Sequence, residues 1–165
     1  MRDIILIAHN IRSCHNVGSL LRTAEGLGVS KVILSGYTPH PTHPNDRRLP
    51  HEALKLEKQI HKTALGAETM IRWDYHKAIL PVISRLKKSG YLIAAIEQTE
   101  DSRDLSRYHP PEKIVLIVGR EVEGIDPEVL AVCDQALEIP MFGKKESYNV
   151  VQAAAMALYH CRFTH

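Results

Sequence analysis

"EIPMFGKKESYNVVQAAAMALYH" runs from Glu138 to His160. A short apolar run ends at Pro140, a loop carries Gly143, Lys144 and Lys145, and Ser147-Tyr148-Asn149 opens onto a helical pattern. At about 100° per residue, Val150, Val151, Ala153, Ala154, Ala155, Met156, Ala157 and Leu158 leave no polar side, and only Gln152 interrupts. A helix apolar all round is buried, either centrally or in an interface. Ser147 reads as the N-cap of that helix. A cap leaves Asn149 and the Gly-Lys-Lys loop unexplained, and helix N-terminal amides beside lysines suit a polar or anionic ligand.

Working outward, short β-branched runs alternate with helical patterns. Asp3 to His9, Lys31 to Gly36, Glu68 to Trp73, Tyr91 to Gln98, Lys113 to Gly119 and Gln135 to Pro140 read as strands, several of them continuously apolar. Such runs suit strands buried on both faces. Helices are expected over Val17 to Leu27, Glu52 to Leu65, within Tyr75 to Lys88, over Pro127 to Cys133 and over Asn149 to Cys161. Pro81 either kinks the third helix or sits in its first turn. The alternation implies one α/β domain over residues 1–165, with a mainly parallel sheet and helices on both faces. Ligands of such sheets bind beyond the carboxyl ends of the strands.

A net charge of +2 excludes strong overall attraction to nucleic acid, so any basic surface is local. The best candidate is Lys31 to Lys62, which holds six Lys/Arg, three Asp/Glu and four histidines. Its Pro-rich loop Tyr37 to Pro50 carries Arg47 and Arg48. Three cysteines, Cys14, Cys133 and Cys161, with no C-x-x-C spacing suggest neither a disulfide framework nor a zinc ribbon. No apolar run is long enough for a membrane span. A cytoplasmic protein is expected.

Two further clusters stand out. In "IVGREVEGID" (Ile117 to Asp126) a buried strand ends at Gly119, and Arg120 and Glu121 follow at once. It is neither a P-loop nor G-x-G-x-x-G, which argues against ordinary dinucleotide binding. In "NIRSCHNVGSLLRTAEGLG" (Asn10 to Gly28), Val17, Leu20, Leu21, Ala24 and Leu27 form an apolar stripe. Arg22 points the other way between Gly18 and Gly26, as if the small residues open a groove around it. Asn16 reads as a helix-start residue, a cap or a site group.

Together the motifs "NVGSLLRTA" (Asn16 to Ala24), "GREVEG" (Gly119 to Gly124) and "IPMFGKKESYN" (Ile139 to Asn149) resemble the three motifs of the SpoU/TrmH family. These are SPOUT-class RNA ribose 2′-O-methyltransferases. "KTALGAE" and "IEQTEDSRDL" also resemble stretches of this family, the latter most like the tRNA guanosine 2′-O-methyltransferase branch. The resemblance implies a SPOUT fold with a C-terminal deep trefoil knot, a homodimer, S-adenosylmethionine as cofactor and RNA, with tRNA favoured, as substrate. It implies cofactor contacts at Ile96, Gly119, Ile139, Met141, Ser147 and Tyr148. Asn16, Arg22, Glu121, Ser147 and Asn149 match catalytic or substrate-positioning places. Arg120 stands where the family usually has Asn, and Tyr148 where Leu is usual.

A guanidinium stays protonated, so Arg22 is read as a phosphate clamp that stabilises a forming alkoxide rather than as a base. Arg47 and Arg48 are further candidate RNA contacts. The alternatives are a ribosomal RNA 2′-O-methyltransferase and a non-catalytic SPOUT-like RNA-binding domain. His40, His43, His51 and His61 fit no standard ligand set, so no metal is expected. Cys14 beside His15 is read as packing rather than as a nucleophile.

Overall fold

A computed structural model describes residues 1–164. Its centre is a seven-stranded sheet in the order β3-β2-β1-β6-β4-β7-β5, with every pairing between these strands parallel. The strands are β1 (Asp3–His9), β2 (Lys31–Ser35), β3 (Trp73–His76), β4 (Leu92–Ile96), β5 (Arg103–Asp104), β6 (Lys113–Val118) and β7 (Gln135–Glu138). The helices are α1 (Cys14–Gly26), α2 (Pro50–Ala64), α3 (Ala67–Met70), α4 (Leu80–Lys88), α5 (Pro127–Leu130) and α6 (Val150–Phe163).

Alternation along each strand divides the core in two. Ile4, Leu6, Ala8, Ile114, Leu116 and Val118 face the layer that includes α1, α2 and α6. Ile5, Ile7, Val115 and Ile117 face α4 and α5 through Val82, Ile83 and Val129. Both faces are therefore covered, as a parallel sheet requires. From β4 the chain passes to the edge at β5, returns to insert β6 between β1 and β4, then places β7 between β4 and β5. Among the described residues no helix is long and apolar enough to cross a membrane.

The strand expected at Glu68 to Trp73 is a correction. Leu65 and Gly66 turn left-handed, α2 ends, and residues 67–70 form the short helix α3. Glu68 is buried there because its carboxylate meets the Gly66 amide at 2.9 Å and His61 Nδ1 at 2.5 Å. The strand begins only at Trp73, opposite Val32. Pro81 sits in the first turn of α4, which settles the two readings of that proline. The helix expected from Pro127 to Cys133 is a single turn, with Val132 and Cys133 folded back onto Val129 and Leu130 by backbone bonds.

Helix α6 is not buried all round within the chain. Ala154, Ala157, Leu158 and Cys161 enter the core, whereas Tyr159 and Phe163 are more than half exposed. Arg162 fixes the far end of α6 by donating to the carbonyls of Leu27, Gly28 and Arg2 at 2.9, 2.6 and 2.8 Å.

Gly18 serves helix packing rather than a groove for Arg22. A Cβ there would stand 2.2 Å from both the Ile60 carbonyl oxygen and Thr63 Oγ1 of α2. Alanine would gain about 1 kcal/mol of helix propensity, but overpacking costs about 1–3 kcal/mol and here meets backbone. Gly18→Ala should lower stability in urea unfolding by about 1–2 kcal/mol. An unchanged or raised midpoint would show that α1 and α2 do not approach this closely.

Candidate active site

Three neighbouring strands, β6, β4 and β7, end on the same side of the sheet, and the turns that follow them enclose one cleft. Ile96, Glu97 and Gln98 come from the end of β4, Gly119 to Gly124 follow β6, and Leu137 to Met141 span the end of β7. Glu146, Ser147 and Tyr148 close it from the approach to α6, with Val150 and Ala153 behind them. The loop after β6 is a tight turn. The Arg120 amide donates to the Gly124 carbonyl at 3.1 Å, and the Gly124 amide donates back at 3.2 Å. Gly119 has no room for a side chain, since a Cβ would meet the Gly124 carbonyl oxygen and Ile125 at 2.7 Å.

The cleft is acidic. Glu97, Glu121, Glu138 and Glu146 line it against a single cation, Arg120. Three of the four carboxylates are held in place. Glu97 accepts from the Ile125 amide at 3.0 Å, Glu138 from the Ser102 hydroxyl at 2.9 Å, and Glu121 from Asn16 Nδ2 at 3.0 Å. Carboxylates fixed beside apolar walls favour a ligand that carries positive charge as well as apolar surface.

A polar network flanks the cleft at the ends of β1, β2 and β6. Asp126 accepts from Arg120 Nη2 at 2.5 Å and Asn10 Nδ2 at 3.0 Å, and lies 3.2 Å from His9 Nε2. His9 Nδ1 is 2.8 Å from the Ser35 hydroxyl. Neutral His9 satisfies both contacts if Nε2–H donates to Asp126 and Ser35 donates to Nδ1. Burial, helped by the nearby Arg120 charge, lowers the imidazole pKa despite the Asp126 carboxylate and so favours the neutral ring. Arg120 is thereby held at the rim of the cleft.

The structure brings Ile96, Gly119, Ile139, Met141, Ser147 and Tyr148 into this one lining, with Glu121 among them. Asn16 reaches the same corner through Glu121. It is not the cap of α1, because Ser13 takes that role by accepting from the Asn16 amide at 3.2 Å. Asn149, not Ser147, caps α6, its Oδ1 accepting from the Val151 amide at 2.9 Å. Ser147 is thus left exposed at the cleft. Lys144 and Lys145 are exposed and outside the lining, so they do not contribute to the cleft.

Other expected residues lie elsewhere. Arg22 is exposed on α1, outside the lining, with no hydrogen bond or ion pair among the described residues. Arg47 is exposed in the loop before α2. The Arg48 guanidinium braces that loop, donating to Asp46 and to the carbonyls of His40 and Pro41, both at 3.0 Å. His40 and His43 come near Asp46, but His61 turns instead to Glu68. Burial raises the Cys14 thiol, which makes it a poor nucleophile. Sequence reasoning missed Glu97, Glu138 and Glu146 and the His9–Asn10–Asp126 group. The strand-end rule pointed to Glu97 and Asn10, which directly follow β4 and β1.

An all-parallel α/β sheet with an acidic cleft at the carboxyl ends of its strands places a candidate small-ligand site where such sheets bind ligands. The chain belongs to the SpoU rRNA Methylase family, whose model matches residues 3–159. It is 27% identical over 160 residues to the tRNA (guanosine(18)-2′-O)-methyltransferase of Escherichia coli K12, covering 97% of this chain and 63% of that protein. It is 30% identical over 159 residues to the 23S rRNA (guanosine-2′-O-)-methyltransferase of Neisseria meningitidis serogroup B, covering 96% and 58%. The chain therefore spans about three fifths of the length of these two relatives. The solved AdoMet-bound rRNA methyltransferase from Sinorhizobium meliloti shares the fold, with a TM-score of 0.79 at 21% identity over 97% of this chain and 56% of that one.

The buried histidines predict a pH dependence. His9 and His40 both have pKa values lowered from an ordinary 6.5, chiefly by burial. Below about pH 6.5 the unfolded chain takes up protons that the folded chain refuses, so stability falls as pH drops. Urea unfolding should show a decline from pH 7 to pH 5, shallower in His9→Gln. Identical pH profiles for the two proteins would mean that His9 is not held neutral.

Proposed function

We propose that this protein transfers a methyl group from S-adenosylmethionine to a ribose 2′-hydroxyl of RNA, with tRNA as the substrate. The observation that carries the reading is the acidic cleft formed by the turns after β4, β6 and β7, to which Asn16 ties the α1 motif through Glu121. The residues present fit the cofactor. Fixed carboxylates suit a sulfonium and an ammonium, Gly119 permits the tight turn against Gly124 and Ile125 that shapes the cleft, and Leu137, Ile139 and Met141 give an apolar wall. Support also comes from the AdoMet named in the S. meliloti structure.

When bound, S-adenosylmethionine supplies an activated methyl carbon on positively charged sulfur. The chain must then bind, align and manage one proton. Alignment of the reacting groups alone is worth several kcal/mol. Gly119, Ile96, Ile139, Met141 and Tyr148 are the cofactor contacts in this reading, while Ser147 and Glu121 stand at the rim where the ribose enters. Asn149 holds the first turn of α6 and so places Ser147 and Tyr148. Arg22 lies outside the chain's own cleft and meets RNA, where its fork binds the phosphate beside the target ribose. The proton leaves to that phosphate or to water.

The same reading makes the protein a homodimer and residues 1–165 one domain, with its C-terminal segment threaded into a trefoil knot. A dimer is supported by the uncovered side of α6, where Ala155, Met156, Tyr159 and Phe163 form an apolar hollow with Leu105 and Pro140. A knot is supported by the late insertion of β6 and β7 between earlier strands. Three unpaired cysteines suit a reducing compartment, the cytoplasm.

Ribosomal RNA is the second reading, favoured by 30% identity to a ribosomal RNA enzyme. One assay separates them. Protein incubated with methyl-labelled S-adenosylmethionine and unmodified total RNA should place label in 2′-O-methylated nucleosides of the tRNA fraction. Label in the ribosomal fraction alone selects the second reading, and no label in either contradicts methyl transfer. Arg22→Lys keeps charge but loses the fork, so kcat/KM should fall about 10- to 100-fold, or about 1.4–2.7 kcal/mol, with cofactor uptake retained. A wild-type rate in that variant would exclude bidentate phosphate binding.

A further inference from the structure

Helix α2 carries His51, Lys55, Lys58 and Lys62 at intervals of four, three and four. At about 100° per residue they fall within an arc of roughly 60°. The buried residues of α2, namely Ala53, Ile60 and Ala64, lie on the opposite side. All four basic residues are exposed and line one shallow groove with Leu54 and Gln59. Acidic residues are kept off this line. Glu52 points about 100° away, and Glu57 accepts from the Thr42 hydroxyl at 2.8 Å.

Exposed helices usually set opposite charges three or four residues apart, which adds about 0.2–0.5 kcal/mol per pair, whereas like charges cost as much. Here each such step along the line joins two basic residues, and none of the three lysines forms an ion pair among the described residues. Glu52 three residues before Lys55 and the place of Lys62 in the last turn offset part of this cost, but the row of like charges itself favours an anionic partner outside the chain. It also concentrates positive charge in a protein whose net charge is only +2.

The stripe runs to the cleft. Thr63, next to Lys62, donates through its hydroxyl to the His15 carbonyl at 2.8 Å, and the following residue, Asn16, binds Glu121 at the cleft corner. The eleven helical steps from His51 to Lys62 extend about 16 Å, the rise of about five stacked nucleotides. We propose that this face of α2 is a track for the phosphate backbone of the RNA substrate, leading away from the nucleotide to be methylated. This rests on the reading of the protein as an RNA methyltransferase. Lysines contact phosphates without reading bases, so the track supplies affinity and register rather than sequence choice.

The test compares wild type with Lys55→Gln/Lys58→Gln/Lys62→Gln, in which glutamine preserves helix propensity and the buried face is untouched. Binding of unmodified tRNA is measured over a salt series, with S-adenosylmethionine uptake as a control on the cleft. The triple variant should bind more than tenfold more weakly at low salt. Its log affinity against log salt should be shallower by about two to three units, at about 0.7–0.9 for each phosphate that the lysines no longer neutralise. Cofactor uptake should be unchanged. Equal affinity and slope in both proteins overturn the track, as does weakened binding only to anionic lipid vesicles. Wild-type protein that takes up cofactor but binds no RNA overturns the substrate reading as well.

Discussion

The double-sided burial of β6 is the constraint on which the rest of the structure depends. Ile114 to Val118 have almost no exposed surface, so this strand can lie only in the middle of the sheet, between two parallel neighbours. That position sets its carboxyl end beside the ends of β4 and β1. Gly119 then emerges where the turns after β4 and β7 can meet it. Had β6 paired at an edge, its loop would face solvent and no cleft would form. Packing inside the sheet thus decides where the chemistry is placed.

The cleft shows how such a site is kept acidic. Isolated carboxylates held close together repel one another, and three of the four acids here have found a neutral donor: a backbone amide for Glu97, a hydroxyl for Glu138 and a side-chain amide for Glu121. Neutral donors fix direction without cancelling charge. Arg120, the one cation in the lining, is instead turned toward Asp126, which His9 and Asn10 also hold. Its charge is therefore partly satisfied outside the cleft, and the balance inside stays negative.

Much of this was legible in the sequence. Apolar runs marked β1, β2, β4 and β6 because burial on both faces leaves few polar positions to confuse the period, and β7 was marked by its short apolar stretch before Pro140. The motifs around Asn16, Gly119 and Ser147 were legible as a set, and the second and third of them contribute Gly119 to Glu121, Ile139, Met141, Ser147 and Tyr148 to the cleft lining, beside residues from the ends of β4 and β7. What was not legible depended on contacts between distant segments. Glu68 enters a helix because His61 and Gly66 satisfy it, which a local pattern of Met70, Ile71 and Trp73 cannot reveal. The two-residue strand β5 owes its existence to pairing with β7. Gly18 looked like space for Arg22 and is instead the place where α2 touches α1. Ser147 and Asn149 are both capping residue types, and only the backbone shows that Asn149 holds the cap. The uncovered side of α6 was legible only as apolar, and whether such a face is core or interface depends on what lies against it.

The most direct measurement is calorimetric titration of the folded protein with S-adenosylmethionine and with its demethylated product, S-adenosylhomocysteine. Saturable uptake of both is expected at one site per chain. It should be weakened or lost in Gly119→Ala, where a methyl group would press on the Gly124 carbonyl and Ile125 and distort the turn that lines the cleft. Absence of heat with either ligand, from protein whose cooperative unfolding shows it to be native, would contradict a cofactor site at the ends of β4, β6 and β7.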